Sequence, residues 1–133
     1  MSQVRDAMVP EPGALEASAS AQEAGERLSA PAVRAVLVCD GGKLVGVVTR
    51  KTLVQQIVAT GRDPRVTQLG DIAEPPLFTL DASMDLDDAY RELEDQDLER
   101  VPVVEDGRLV GILSRTVLQR RLAEDEPPLQ QQV

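Results

Sequence analysis

The sequence predicts an α/β (α+β) protein built from two copies of one small β-α-β-β-α unit. Three observations lead to this prediction. The chain repeats itself at an offset of 65 residues, and each copy contains two apolar runs joined by an acidic residue and glycine. Apolar residues at helical spacing also precede and follow each pair of runs.

The repeat is clearest at residues 42–50, whose sequence GKLVGVVTR returns as GRLVGILSR at 107–115. The register slips by one residue near Arg34, which aligns with Arg100, and recovers at the following turn. We therefore predict a first unit at 1–64 and a second at 65–123. The remaining residues, 124–133, carry acidic residues, prolines and glutamines and are predicted to form a disordered tail.

Each unit is predicted to begin with a short strand, near 14–17 and again near 77–80. A helix follows each strand. Ser18 and Ser83 are predicted to be the N-caps, because a hydroxyl can accept hydrogen bonds from the free N–H groups of a first turn. Ser20 with Glu23 offers an alternative capping box. One apolar face is predicted for each helix, formed by Ala21, Ala24 and Leu28, and by Leu86, Ala89 and Leu93.

A hairpin follows each helix, at 33–39 with 43–49 and at 101–104 with 108–114, because valine-rich runs flank an Asp-Gly turn. The last helix of each unit is predicted to begin at Arg50 or Arg115. In the first unit its buried stripe is predicted to contain Leu53, Val54, Ile57 and Val58.

Composition narrows the possible functions. The net charge is −9, with +1 in residues 1–65 and −10 in residues 66–133, and aromatic residues make up only 2% of the chain. Both facts disfavour nucleic acid or an anionic membrane as a partner. The chain shows no apolar run long enough to span a membrane and no signal peptide. We therefore expect a cytoplasmic protein.

No catalytic or metal site is predicted. The chain has no histidine, and its single cysteine, Cys39, has no histidine to activate it, so we expect a small buried hydrophobe there and not an enzyme. The carboxylates at 85–99 lack a metal-binding loop pattern and are predicted to form a solvated helix face, with a docking surface for a basic partner as an alternative.

The order of elements, together with residues 44–49 and 100–114, resembles the cystathionine-β-synthase-type (CBS) domain, two of which in tandem form a Bateman module. The resemblance covers about residues 4–123. It implies two units related by a pseudo-twofold axis with their sheets packed together, and usually a homodimer. In many members the clefts between the units bind AMP, ADP, ATP or S-adenosylmethionine as a regulatory ligand, with no covalent cofactor.

The resemblance also implies particular site residues. A Thr or Ser at the end of the third strand contacts phosphate, and Thr49 and Ser114 hold this position. Three residues later the family often has an Asp that binds the ribose hydroxyls, whereas this chain has Thr52 and Val117. The predicted ligand contacts are Thr49, Arg50, Thr52, Ser114, Arg115, Arg34 and Arg100, with apolar walls from Val36, Leu77, Phe78, Val101 and Pro102.

Alternatives remain open at this level. The four repeated arginines either bind an anion or form salt bridges to the acidic helices. The leading hypothesis is a regulatory module that senses an adenosine-type nucleotide or a similar anion in the cleft between the units. The alternative is a ligand-free dimeric scaffold that binds a protein partner through the acidic helix at 83–97. A third and weaker hypothesis is regulation in trans of an enzyme that once carried this module.

Overall fold

The computed structural model describes residues 2–10, 13–76 and 78–125. The first repeat contains a 3-10 turn (Val4–Asp6), β1 (Val9–Pro10), β2 (Leu15–Glu16), α1 (Ala21–Leu28), β3 (Ala35–Asp40), β4 (Lys43–Thr49) and α2 (Arg50–Leu53), which a π-helical turn (Val54–Val58) continues. The second contains α3 (Leu69–Ile72), β5 (Leu80–Asp81), α4 (Leu86–Asp95), β6 (Arg100–Glu105), β7 (Arg108–Ser114) and α5 (Arg115–Asp125). The mixed α/β class is confirmed.

Contacts divide the chain into two compact units whose limits differ from those of the sequence repeat. One, called here the first-repeat unit, contains the described residues of Gly13–Leu77 together with Gly107–Leu109. The other, the second-repeat unit, contains those of Met1–Pro12, Phe78–Asp106 and Val110–Val133. The N-terminal segment joins the second-repeat unit because the Val4 N–H donates to the Met84 carbonyl at 2.8 Å. The repeat boundaries at 64 and 123 stay a prediction.

The first-repeat unit is built on strands β2, β3 and β4. β2 runs parallel to β3 and β3 antiparallel to β4, so that Val36 lies opposite Val48. The predicted face of α1 is buried, as is expected of apolar residues at i, i+3 and i+7. The buried core consists of Ala21, Ala24, Leu28, Val36, Val38, Val48, Ile57, Leu69 and Ile72.

The second-repeat unit also begins with a short strand that runs parallel to the next one, since β5 pairs with β6. In addition, β1 pairs antiparallel with β7, with Val9 opposite Ile112. The predicted face of α4 is again buried. The buried core consists of Val4, Leu80, Ala82, Leu86, Ala89, Leu93, Val101, Val103, Leu113 and Leu118.

Both predicted hairpins are present. The turn residues are Gly41 and Gly42 in the first hairpin, where Asp40 still belongs to β3, and Asp106 and Gly107 in the second. The φ angles are +59° and +91° at Gly41 and Gly42, and +54° and +79° at Asp106 and Gly107. A two-residue hairpin turn with positive φ at both positions favours Gly, Asn and Asp. Each hairpin leads directly into a helix at Arg50 or Arg115, as predicted.

The leading N-cap predictions, Ser18 and Ser83, are wrong, and the alternative cap at Ser20 is confirmed. The N-caps are Ser20 and Asp85, because a turn separates each short strand from its helix. The Ser83 hydroxyl instead contacts the Asp81 carboxylate at 2.6 Å.

The predicted stripe in the last helix of the first repeat is only partly buried. Ile57 is buried, but Val54 is 56% and Val58 73% exposed. The reason is the π-helical turn over Val54–Val58, whose i→i+5 hydrogen bonding changes which residues share a face.

Candidate functional site

Two of the predicted ligand contacts form a closed hydrogen-bonded pair at the start of α2. Thr49 is the N-cap, and its hydroxyl accepts from the Thr52 N–H at 3.3 Å. The Thr52 hydroxyl in turn accepts from the Thr49 N–H at 3.0 Å. This reciprocal capping box satisfies two backbone donors that a helix start leaves free.

The Thr52 hydroxyl is fully committed to this arrangement. Thr52 is 0% exposed, and its oxygen lies 3.1 Å from the Thr49 hydroxyl and 3.5 Å from the Glu74 carboxylate. A hydroxyl has one proton to donate. If Thr52 gives its proton to Glu74, the Thr49 proton is available to another acceptor. Thr49 is half-buried, so of the two hydroxyls it is the one that a ligand can reach.

Arg50 supports the neighbouring helix. Its guanidinium donates to the carbonyls of Leu28, at 2.6 Å, and Ala30, at 3.0 Å, at the end of α1. The last carbonyls of a helix lack partners within it, and a cation there is favourable. The described partners of Arg50 are backbone oxygens, and its predicted contact with an anion stays a prediction. The next residue, Lys51, is exposed and gives the first turn of α2 a second cation.

At the start of α5, the helix of the second repeat that corresponds to α2, a carboxylate accepts hydrogen bonds from the first residues of the helix and from Ser114. Glu99 Oε1 accepts from the Thr116 hydroxyl at 2.8 Å, the Ser114 hydroxyl at 3.3 Å and the Thr116 N–H at 3.3 Å. The Arg115 guanidinium lies 3.7 Å from Glu99 Oε2 and 3.4 Å from Asp97 Oδ1. Arg115 therefore forms salt bridges, one of the two alternatives stated for the repeated arginines.

These contacts favour the charged form of Glu99. The hydrogen bond from the Thr116 hydroxyl contributes most to lowering the pKa of the Glu99 carboxyl. Desolvation raises this pKa, but the Thr116 N–H, Ser114 and Arg115 lower it further, and the net shift is downward. Glu99 is therefore an ionised internal ligand at the N-terminus of α5 at neutral pH.

Arg34 lies directly before β3, and Arg100 is the first residue of β6. The predicted alignment of these two arginines is wrong, because the strand pairing keeps the offset of 65 residues: Leu15 pairs with Val38, and Leu80 pairs with Val103. Arg100 therefore matches Ala35, and Arg34 matches Glu99. Arg34 and Arg100 are both exposed. Among the residues that the structure describes, neither forms a salt bridge. For these two arginines the anion-binding alternative therefore remains a prediction.

The predicted apolar walls are distributed differently. Val36 and Val101 belong to the two cores and are 3% and 1% exposed. Pro102 and Phe78 are partly buried, and Phe78 packs against the core of the second-repeat unit. Leu77 lies outside the described residues. Contact of these side chains with a ligand stays a prediction.

The described residues contain little that suggests catalysis. Cys39 is 6% exposed, and burial, assisted by the Glu16 charge, raises the pKa of its thiol, so it is the buried hydrophobe that was predicted. Within these residues no cluster of acidic or cysteine side chains has the arrangement of a metal site. In the same ranges, none of the helices combines the length and apolar composition needed to cross a bilayer.

Sequence reasoning missed Glu74, Glu99 and Thr116. Glu99 ends a run of acidic residues, and nothing in its spacing distinguishes it from its neighbours. The one available signal was the offset of 65 residues between the repeats, which places Glu99 opposite Arg34. That comparison identifies a change from a basic to an acidic residue at this point of the repeat.

The family model for the CBS domain matches the chain twice, at residues 4–59 and 69–124. The chain belongs to the CBS domain family. The resemblance noted from the sequence is thereby confirmed, and the chain contains a pair of CBS domains. Residues 49–52 and 114–117 are matching segments of the two CBS domains.

Two curated relatives are similar to this CBS pair. Hypoxic response protein 1 of Mycobacterium tuberculosis (strain CDC 1551 / Oshkosh) is 30% identical over 93 residues, which are 69% of this chain and 65% of the relative. The match thus spans just under two thirds of that relative. The CBS domain-containing protein YhcV of Bacillus subtilis (strain 168) is 28% identical over 114 residues, 86% of this chain and 81% of YhcV.

Two solved structures are also similar to this CBS pair. CBSX2 in complex with AMP is 30% identical, with a TM-score of 0.71, and the match covers 96% of this chain and 100% of CBSX2. Hypoxic Response Protein I with two coordinated zinc ions has a TM-score of 0.74 at 24% identity, covering 91% of this chain and 99% of that protein. At that identity the second likeness supports the fold alone.

Proposed function

We propose that this CBS pair is a regulatory module that binds an adenine nucleotide through its first repeat. Thr49 and Lys51 would contact the phosphate at the start of α2, and Arg34 would approach it from the start of β3. The proposal concerns sensing and not catalysis, and no covalent cofactor is part of it.

The observation that carries the proposal is the charge at the start of α2. The first turn contains two basic residues, Arg50 and Lys51, and no acidic one. The partial positive charge of a helix N-terminus favours anions and disfavours cations. The Arg50 guanidinium is directed to carbonyls at the end of α1, whereas Lys51 is exposed. Lys51 becomes favourable in this position when an anion binds beside it, and phosphate is the anion that helix N-termini commonly bind.

The identity of the ligand is proposed from the relatives. CBSX2, which is 30% identical over nearly the whole of this chain, was solved in complex with AMP. AMP supplies the phosphate that the N-terminus of α2 and Arg34 would bind. ADP, ATP and S-adenosylmethionine remain further candidates for the same ligand class.

The test is titration calorimetry with AMP on matched variants. Arg34 and Arg100 are both exposed, so replacing either by Ala should leave stability within about 0.5 kcal/mol of wild type. A hydrogen bond to a charged group contributes about 1.5–3 kcal/mol, so Arg34→Ala should weaken AMP binding roughly 10- to 100-fold. Arg100→Ala should change it less than twofold. Equal affinities for all three proteins would contradict the proposal.

One observation favours a second candidate, a scaffold that binds a basic protein partner. The outer face of α4 exposes Asp87, Asp88, Glu94 and Asp95, and Arg91 is the one basic residue of this helix. Its contact with Asp88, at 3.7 Å between exposed groups, offsets little of that charge. Absence of a heat of binding with every adenine ligand at millimolar concentration would favour this candidate.

Self-association is also proposed. Val54 and Val58, one helical turn apart, are 56% and 73% exposed, and a homodimer would remove them from water. Sedimentation of the wild type and of Val58→Asp tests this: the variant should shift towards the monomer. The cytoplasmic location stays a prediction.

A further inference from the structure

The two CBS domains differ in the contacts that surround the first residues of their matching helices, α2 and α5. In the first repeat, the described residues around Thr49 contribute a capping partner and two cations. In the second, Glu99 accepts hydrogen bonds from Ser114 and from both the N–H and the hydroxyl of Thr116. The donors at the start of α5 are therefore already used by a carboxylate of the same chain.

The backbone holds this carboxylate in place. The Arg115 N–H donates to the Glu99 carbonyl at 2.7 Å, which fixes the main chain of Glu99 next to the first residue of α5. A ligand group joined to its site by a short link has an effective concentration on the order of millimolar or more. AMP at micromolar concentration therefore competes poorly for these donors.

Charge adds to this competition. Glu99 is ionised and lies beside Asp97, which also contacts Arg115. Phosphate entering here would meet two carboxylates at short range, and like charges a few ångströms apart repel even at high effective dielectric constant. In the register of the strands, the first repeat has Arg34 at the position of Glu99. The carboxylate described near the Thr49–Thr52 pair is Glu74, which contacts the Thr52 hydroxyl at 3.5 Å and makes no described hydrogen bond to Thr49.

We propose that Glu99 is a specificity-determining residue that excludes phosphate-bearing ligands from the second repeat and so confines nucleotide binding to the first. The inference rests on the proposed function. It predicts an asymmetric CBS pair that binds one AMP per chain, although the Ser/Thr and Arg positions are present twice.

The experiment is the stoichiometry of AMP binding, measured by titration calorimetry at pH 7.5. Glu99→Val removes the carboxylate from the second repeat. Glu99→Gln removes the charge with almost no change of shape and serves if the valine variant folds poorly. Asp97→Asn is the matched control, because it removes the other carboxylate on Arg115 but touches neither Ser114 nor Thr116. Asn also tolerates the φ of +52° at this position.

The inference predicts one AMP per chain for wild type and for Asp97→Asn, and two per chain for Glu99→Val and Glu99→Gln. Two AMP per wild-type chain, or one per chain in every variant, would overturn it while leaving the proposed function intact. No binding by wild type with one AMP per Glu99→Val chain would refute the first-repeat site and support the exclusion by Glu99. No binding by any variant would overturn both.

Discussion

Replacing Thr52 by Val tests the structural role assigned to the start of α2. The two side chains have nearly the same shape, so the substitution removes the hydroxyl and little else. That hydroxyl accepts from the Thr49 N–H at 3.0 Å and lies in a fully buried side chain. Valine leaves the Thr49 N–H without its partner at a partly buried site.

The expected cost follows from these contacts. Loss of an N-cap interaction costs about 0.5–2 kcal/mol, and an unsatisfied buried donor costs about 1–3 kcal/mol. Because Thr49 is only partly buried, we expect about 1–2 kcal/mol. For a chain of this size each kcal/mol lowers Tm by roughly 3–5 °C, so Thr52→Val should melt about 3–10 °C below wild type.

The assay is urea unfolding followed by circular dichroism, with Val117→Thr as control. Val117 aligns with Thr52 in the repeat and is 37% exposed, so a hydroxyl there should change stability by less than about 0.5 kcal/mol. Equal stability of Thr52→Val and wild type would refute the assignment of this hydroxyl to the capping box. Retention of AMP affinity in Thr52→Val would separate this structural role from ligand binding.

Three further predictions concern stability. Arg50→Ala should lose about 1–2 kcal/mol in urea unfolding, because two carbonyls at the end of α1 lose a cationic donor, whereas Lys51→Ala should stay within about 0.5 kcal/mol. Gly25→Ala should stabilise the folded protein by about 0.5–1 kcal/mol, because the site is helical and the nearest atom to the new Cβ would be 3.8 Å away. Gly46→Ala should destabilise it by about 1–3 kcal/mol, because the new Cβ would lie 2.7 Å from the Ala73 methyl group. The pKa of Glu99 is lower in the folded than in the unfolded state. The ionised carboxylate therefore stabilises the folded protein above about pH 4.5, and this contribution is lost as pH falls through the folded pKa. The difference in Tm between wild type and Glu99→Gln should accordingly narrow from about pH 6 to about pH 3.

The sequence predicted the elements whose signals are local. Each hairpin was predicted from an Asp-Gly turn between valine-rich runs, and two positive φ angles at each turn explain why that signal is reliable. The apolar faces of α1 and α4 followed from spacing alone. The repeat then allowed each of these predictions to be made twice.

Other features depend on details that residue spacing does not encode. Ser18 was an acceptable cap by residue type, but the turn after β2 delays the helix to Ser20, which has equally suitable chemistry. The exposure of Val54 and Val58 follows from a π-helical turn, and no residue type between 54 and 58 predicts such a turn.

The candidate site was predicted as a set of residues but not as an arrangement. Thr49, Thr52, Ser114 and Arg115 were named as ligand contacts, and the structure joins them to one another or to Glu99. The contact between Glu99 and Thr116 crosses from the loop after α4 to the start of α5, and its partner is one carboxylate among many. Among the sequence signals, the comparison of Glu99 with Arg34 in the other repeat is the one that distinguishes it.

The measurement that tests the central claim most directly is thermal unfolding of the wild-type protein with and without AMP. A ligand that binds only the folded state adds RT ln(1 + [L]/Kd) to stability, about 2.7 kcal/mol at a hundredfold excess over Kd. The account predicts that millimolar AMP raises Tm by several degrees, while adenosine, which lacks the phosphate, raises it much less. An unchanged Tm with AMP, or equal shifts with AMP and adenosine, would contradict a phosphate-binding first repeat.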